Sequence, residues 1–310
     1  MVNKLSKKEI NAVLSRYNLG KLKDIRYHEG GMISYIFEFK TDKGNFIVRK
    51  LGYQFNWYHR TQHKMEFTVL EHLHGKDFPY ETPMFLKNKN GNYVSRINGI
   101  LFEVYEKLEG EHIEKLDEGN VKEVAKALAI YHKYMSNYKP DKGTFKVRRY
   151  NWMLDRYCKM RKIEEKGELN MRVLENVDFF ENLLKRLLRK DLGIDMLVIH
   201  SDFSPDNFLF RDNKLTGILD FENLSLYAKA YDVAYVLRRK FGLKDIFLKE
   251  YRNHMRFSKE EEKNLVSFIL LNLCNHFWWT YLGMKKRPDL KLRSMKKTIK
   301  QVNEFYKMWK

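Results

Sequence analysis

Val198-Ile199-His200-Ser201-Asp202-Phe203-Ser204-Pro205-Asp206-Asn207-Phe208-Leu209-Phe210, continued by Leu215-Thr216-Gly217-Ile218-Leu219-Asp220-Phe221-Glu222, is the stretch on which the reading of this chain turns. It sets an aspartate and an asparagine five residues apart between two apolar runs, and a second aspartate follows the next run. The four residues Arg211-Asp212-Asn213-Lys214 between those runs are turn formers, so the pattern predicts a hairpin. Folding the chain about Asp212-Asn213 brings Asn207 and Asp220 to the open end of that hairpin, with Asp202 just upstream. Two oxygen donors and a separate carboxylate suit a hard cation such as Mg²⁺ carrying a nucleotide triphosphate, because Mg²⁺ prefers oxygen and keeps phosphate and water as its other ligands.

Outward from this stretch the chain divides into two patterns. Before it, short strand signals dominate: residues 25–28, a Glu29-Gly30-Gly31 loop, 35–39, a turn at Asp42-Lys43-Gly44, and 46–49. A helix is expected across 58–74, stopped by Gly75, and strands follow near 84–86 and 100–105 with a turn at Asn90-Gly91. An amphipathic helix over 4–17 precedes them all. From Gly110 onward the period becomes helical, over 120–135, 151–165, 171–189, 231–241, 259–282 and 291–309. The expectation is an α+β chain. Residues 1–108 form a mostly antiparallel sheet with one main helix, and residues 109–310 form a mainly helical part around a small β element.

Composition narrows the classes. With 310 residues, 44% hydrophobic and 15% aromatic, the chain has material for two cores and no low-complexity linker between them. Two cysteines without CxxC spacing, Cys158 and Cys274, point to a reducing compartment, and no apolar leader or spanning segment is evident, so a cytoplasmic protein without a membrane partner is expected. The net charge of +19 is spread along the chain without a nucleic-acid-binding motif, so no specific nucleic-acid partner is expected. His59 and His63 lack a third ligand, and Phe277-Trp278-Trp279 with Tyr281 reads as a core-packing segment before it reads as an aromatic wall.

His-x-Asp-x-x-x-x-Asn with Asp-Phe-x resembles the catalytic pattern of the protein-kinase-like fold. Here the details resemble its small-molecule branch: aminoglycoside phosphotransferases, choline and ethanolamine kinases, homoserine kinases and spore-coat kinase-like proteins. The loop reads His200-Ser201-Asp202, the metal aspartate stands in Asp220-Phe221-Glu222 thirteen residues after Asn207, and Tyr231-Asp232-Val233-Ala234 follows in place of Ala-Pro-Glu. The resemblance implies a bilobal fold and an ATP- and Mg²⁺-dependent transfer of phosphate to the hydroxyl of a small molecule. It implies Asp202 as catalytic base and Asn207 and Asp220 as metal ligands. It implies Arg49 on the phosphates and Glu66 as its helix partner, with Glu71 the competitor; strand alternation sends Lys50 to the opposite face. Gly30, Gly31 and Ser34 take the place of the phosphate-covering loop, and Glu106 and Leu108 lie in the hinge that meets the purine. Asp232 is expected as a helix N-cap bracing the catalytic loop, and His200 as a donor to that loop's backbone.

The acceptor stays open among homoserine-, choline- and aminoglycoside-like molecules. Asp-Phe-Glu resembles the choline and ethanolamine kinases, whereas the Gly-Gly loop and the Phe46-Ile47-Val48-Arg49 strand resemble homoserine-kinase-like and spore-coat kinase-like members. The basic charge disfavours a polycationic aminoglycoside. A silent kinase-like scaffold or a basic RNA-associated protein is the alternative, opposed by the intact Asp202, Asn207, Asp220 and Arg49.

Overall fold

A capping box opens the first helix: the Ser6 hydroxyl accepts from the Glu9 backbone N–H while the Glu9 carboxylate accepts from that of Ser6. The structure is a computed structural model, and it describes residues 5–28, 34–51, 62–113, 115–140, 150–190, 192, 196–282 and 288–310. In chain order the elements are α1 (Lys7–Arg16), β1 (Leu22–His28), β2 (Ser34–Thr41), β3 (Asn45–Leu51), α2 (Gln62–His74), β4 (Val94–Ile97) and β5 (Ile100–Glu106). Then come α3 (Glu118–Ser136), α4 (Asn151–Met160), α5 (Gly167–Arg189), β6 (Met196–Ile199), β7 (Phe208–Arg211), β8 (Lys214–Ile218) and β9 (Ser225–Ala228). The helices α6 (Lys229–Leu237), α7 (Lys244–Arg252), α8 (Lys259–Lys263), α9 (Leu265–Leu282) and α10 (Pro288–Trp309) complete the chain.

The chain falls into two units. A sheet unit comprises Met1–Ile113 together with Phe208–Glu222, and a helical unit comprises Glu114–Asn207 and Asn223–Lys310. The hairpin 208–222, placed by the sequence reading in the second part, thus groups with the first.

In the sheet unit five antiparallel strands run in the order β1-β2-β3-β5-β4. Strand alternation sorts its residues onto two faces. Phe46 and Val48 turn to a core with Phe37, Phe39, Phe102, Val104, Val13 of α1 and Tyr17, which caps that helix. Lys50 shares that face and pairs there with Glu9 at 2.8 Å, as alternation requires. Arg49 therefore faces the other way, opposite Ile36 on β2 and Glu103 on β5. The strand expected at 84–86 is not formed; Phe85 makes a single bridge to Tyr105, and β4 begins only at Val94.

The hairpin of β7 and β8 turns through Asp212 and Asn213, both at positive φ (48° and 60°). That is the two-residue turn whose twist matches antiparallel strands, and Asp and Asn are the side-chain-bearing residues that tolerate it best. Its strands bond back to the rest of the sheet unit: the Glu81 N–H donates to the Thr216 carbonyl, the Ile218 N–H donates to the Glu81 carbonyl, and Glu111 pairs with Phe210. Gly110 sits so close to Leu209 that a Cβ there would meet the Leu209 side chain at 2.9 Å.

In the helical unit β6 pairs with β9, and α6 follows directly. The helix expected over 231–241 is α6, ending at Leu237, and α7 was not foreseen. The helix expected over 259–282 is interrupted at Asn264 between α8 and α9. Phe277 in α9 is fully buried and stacks on Phe180 with ring centroids 3.9 Å apart, which makes it core. Among the described residues no helix is long and apolar enough to cross a membrane.

Candidate active site

Two sets of the expected residues form, one in each unit. In the sheet unit Arg49, buried to 5% exposure, is gripped by three carboxylates: Glu66 on Nη1 at 2.9 Å, Glu222 on Nη2 at 2.7 Å and Glu103 near Nε at 3.5 Å. Its guanidinium also lies over the Phe85 ring at 5.5 Å. Glu66 is thus the helix partner of the strand cation. Its competitor Glu71 instead accepts from the Tyr93 hydroxyl. Burial, opposed by Arg49 and reinforced by Glu103 and Asp220, pushes the Glu66 carboxyl up to about 7. Burial likewise holds the Tyr105 phenol protonated, with Arg49 opposing and Asp220 adding to the effect.

Asp220 leaves β8 at φ +60°, a left-handed conformation that costs a β-carbon-bearing residue energy and recurs at functional positions. Ser34 opens β2 on the Arg49 face, opposite Leu51, and its hydroxyl is buried without a hydrogen-bond partner among the described residues. Glu106 ends β5 with an exposed side chain, and Leu108 follows half-buried. Gly30 and Gly31 lie outside the described residues.

The helical unit carries the loop. Asp202 is partly exposed, and Asn207 is buried in a 3₁₀ turn with its Nδ2 donating to the Asp202 backbone carbonyl at 2.9 Å. Spending the amide N–H₂ on the loop turns the Asn207 oxygen to the other side, where it is available as a hard ligand. Each residue by itself fits the donor chemistry of the metal expected: Asn207 in this unit offers an amide oxygen and Asp220, in the sheet unit, a carboxylate. Among the described residues no cluster of three His, Cys, Asp or Glu side chains offers an alternative.

Asp232 holds the loop from beneath. Fully buried, its carboxylate accepts from the backbone N–H of His200 and of Ser201, each at 2.8 Å, and lies 3.2 Å from His132 Nε2. It is not an N-cap: α6 begins three residues earlier, at Lys229, behind Ala228. The bracing is done by side-chain acceptance from the loop itself. His132 bonds the Tyr251 hydroxyl through Nδ1 at 2.6 Å, and burial lowers its pKa, leaving a neutral ring. The His200 ring accepts from the Asp202 backbone N–H at 3.4 Å where the sequence reading has it donate. Ser201, at φ +68°, is fixed further by the Ser225 hydroxyl at 2.8 Å.

Some residues near these sets were not foreseen. Glu103 stands in the apolar run Ile100–Tyr105, and a lone carboxylate in such a strand is a detectable sign of a buried cation opposite. Glu222 was read only as the third residue of Asp-Phe-Glu. On α6, Tyr235 lies beside Asp202: burial, then that carboxylate, push its phenol pKa upward. Its spacing from Asp232 carries no motif that could have announced it.

The model of the phosphotransferase enzyme family matches residues 24–259. A homoserine kinase of Beijerinckia indica is 25% identical over 238 residues, covering 75% of this chain and 69% of its own length. A homoserine kinase of Zymomonas mobilis is 22% identical over 280 residues, covering 86% and 83%. Among solved structures, an amicoumacin kinase in complex with AMP-PNP and Ca²⁺ superposes with a TM-score of 0.74 at 13% identity, covering 99% of this chain and 98% of its own. A microcompartment-associated aminopropanol kinase superposes with a TM-score of 0.72 at 14% identity, covering 96% and 95%. The fold is the α+β, protein-kinase-like one.

Proposed function

This chain belongs to the phosphotransferase enzyme family and is an ATP-dependent phosphotransferase of small-molecule hydroxyl groups; we propose that Asp202 is its catalytic base. The observation that carries the assignment is the brace under Asp202: one buried carboxylate, Asp232, fixes the two residues before it through their backbone N–H groups. A base acts only within hydrogen-bond reach of the proton it takes, so its loop must be held in place, and Asp232 holds it.

The Asp202 carboxylate accepts the proton of the acceptor hydroxyl as that oxygen attacks the γ-phosphorus, and the bond to the departing nucleoside diphosphate breaks. Asn207 through its amide oxygen and Asp220 through its carboxylate are the residues that would hold Mg²⁺, which when bound neutralises phosphate charge. Arg49, with Glu66 fixing its orientation, is assigned to the phosphates of the nucleotide, a role for which a planar guanidinium is suited. Ser34 lies on the same sheet face as Arg49, and its unpaired buried hydroxyl supports a place with Gly30 and Gly31 over the phosphates. Glu106 and Leu108 are assigned to the purine edge through their backbone.

The test is an ATP-consumption screen of purified protein against homoserine, aminopropanol, choline and kanamycin, followed by Asp202→Asn on the acceptor found. The variant is expected to bind nucleotide normally and to lose about 10²–10⁴-fold in kcat. Retention of more than about a third of wild-type kcat would place the base elsewhere.

A further inference from the structure

Arg238, the residue that follows α6, is buried to 6% exposure, yet among the described residues no carboxylate lies within ion-pair distance of its guanidinium and no side-chain hydrogen bond is made to it. What it does meet is the Tyr235 ring, at 3.9 Å from guanidinium carbon to ring centroid. Tyr235 is in turn the neighbour of Asp202. Gln301 holds the Arg238 backbone carbonyl at 3.0 Å, so the segment is anchored while the guanidinium keeps its donors. Those nitrogens are not sealed from solvent, since the fully buried polar atoms without partners do not include them.

A buried cation without a counter-charge is expensive, and an anion arriving from outside would supply the missing charge. The surroundings agree in sign. Burial first, then Arg238, Arg239, Lys291 and Lys297, lower the pKa of His276, whose Nδ1 lies 2.8 Å from the Thr298 hydroxyl. Against these stand Asp202 and the exposed Asp206, the latter 3.8 Å from Arg239. Positive groups thus stand beside the proposed base, and they repel a polycationic acceptor and draw an anionic one.

We propose that Arg238, stacked on Tyr235, binds the carboxylate of the acceptor and so selects hydroxyl compounds that carry an anionic group. The proposal rests on Asp202 being the base and adds the substrate class. The guanidinium fork matches a carboxylate with two parallel N–H donations, and the tyrosine ring holds the fork in plane. Of the acceptors for which the similar kinases are named, homoserine carries such a carboxylate as well as its hydroxyl, whereas aminopropanol does not.

The experiment uses the full chain with two matched pairs of alcohols: L-homoserine against 3-aminopropan-1-ol, its decarboxylated counterpart, and glycerate against glycerol. Wild type is expected to favour the carboxylate member of each productive pair by at least roughly tenfold in kcat/KM. Arg238→Gln is expected to raise KM for that member by about 10–100-fold, the share of a charge-assisted pair, while leaving KM for ATP unchanged. Arg238→Met without ligand is expected to melt no lower than wild type, since a structural arginine would be missed and an unpartnered one is not. Succinate added to the AMP-PNP-loaded protein should raise the melting temperature of wild type and not of Arg238→Gln. Arg238→Lys serves if the glutamine variant fails to fold.

A wild-type preference for the carboxylate-free alcohols overturns the proposal. So does a variant whose loss falls on KM for ATP, which would assign Arg238 to the nucleotide's phosphate. If no alcohol is phosphorylated by any preparation, the assignment of Asp202 fails, and the succinate titration still decides Arg238: equal stabilisation of both proteins overturns its role.

Discussion

Replacing Asp232 with alanine removes one acceptor from three donors at once: the backbone N–H groups of His200 and Ser201 and the Nε2–H of His132. All of these lie where water does not reach, because Asp232, His132 and His200 are fully buried. A buried donor stripped of its acceptor costs about 1–3 kcal/mol, so three would cost roughly 3–9 kcal/mol if nothing moved. Removing the aspartate also removes a buried charge, and the loop relaxes toward solvent. The expected net loss is therefore about 3–5 kcal/mol, as for breaking other buried charge networks. At roughly 2–4 °C per kcal/mol this is a fall of about 10 °C in melting temperature. Asp232→Asn, which keeps one oxygen but turns an N–H₂ toward N–H donors, should lie between. Hydrogen exchange adds the local readout: the amides of His200 and Ser201 should be protected in wild type and exchange fast in the alanine variant. A variant melting within about 2 °C of wild type, with both amides still protected, would refute the bracing argument.

Three more outcomes follow. Glu66 sits at about 7 in the folded protein against an ordinary 4.5, so the stability it contributes is complete below about pH 4.5 and is lost as pH rises through 7; Glu66→Gln should gain on wild type in melting temperature between about pH 5 and pH 8, and a constant difference would refute this. Asp220→Ala should abolish the dependence of nucleotide affinity on a divalent ion while leaving the fold intact; calorimetry with and without Mg²⁺ on both proteins tells. Phe277→Ala, which breaks the buried stack on Phe180, should cost about 3–5 kcal/mol with KM for acceptor unchanged once corrected for folded fraction, whereas a ligand-wall role would show first in KM.

Legibility followed how local the signal was. The hairpin turn at Asp212-Asn213, the split of Arg49 and Lys50 onto opposite faces and the pairing of Arg49 with Glu66 were all readable. The first two rest on a turn chemistry and a short period that the residues carry themselves, and the third on the family resemblance. The strands β4 and β9 are only four residues long, too short for alternation to register, and β4 turns into β5 through Asn98 and Gly99 at positive φ, a second turn beyond the one at Asn90-Gly91. The helix α7 was legible in principle, with Phe247, Leu248 and Tyr251 all buried on one side, but charged neighbours dilute it. Asp232 read as a cap because helix-initiating aspartates usually are; only the fold shows that its acceptors face a loop thirty residues away. Arg238 gives no sequence signal, since an arginine without a partner differs from a paired one only in three dimensions.

The sheet unit is built from two separated pieces of chain, and this has a consequence for its birth on the ribosome. Residues up to Ile113 present Glu81 and Glu111, whose backbone groups wait for Thr216, Ile218 and Phe210, and Glu81 later receives Arg211. Those partners emerge only after roughly a hundred further residues, about 5–20 s of synthesis at ordinary elongation rates. The five strands of the sheet, all within Leu22–Glu106, can pair before then, but the hairpin's bonds to Glu81 and Glu111 are missing and Arg49 lacks Glu222. A fragment ending at Ile113 should accordingly be a poor substitute for the native unit, and the translation of the segment between becomes a period in which chaperones have access to the surface that the hairpin will cover.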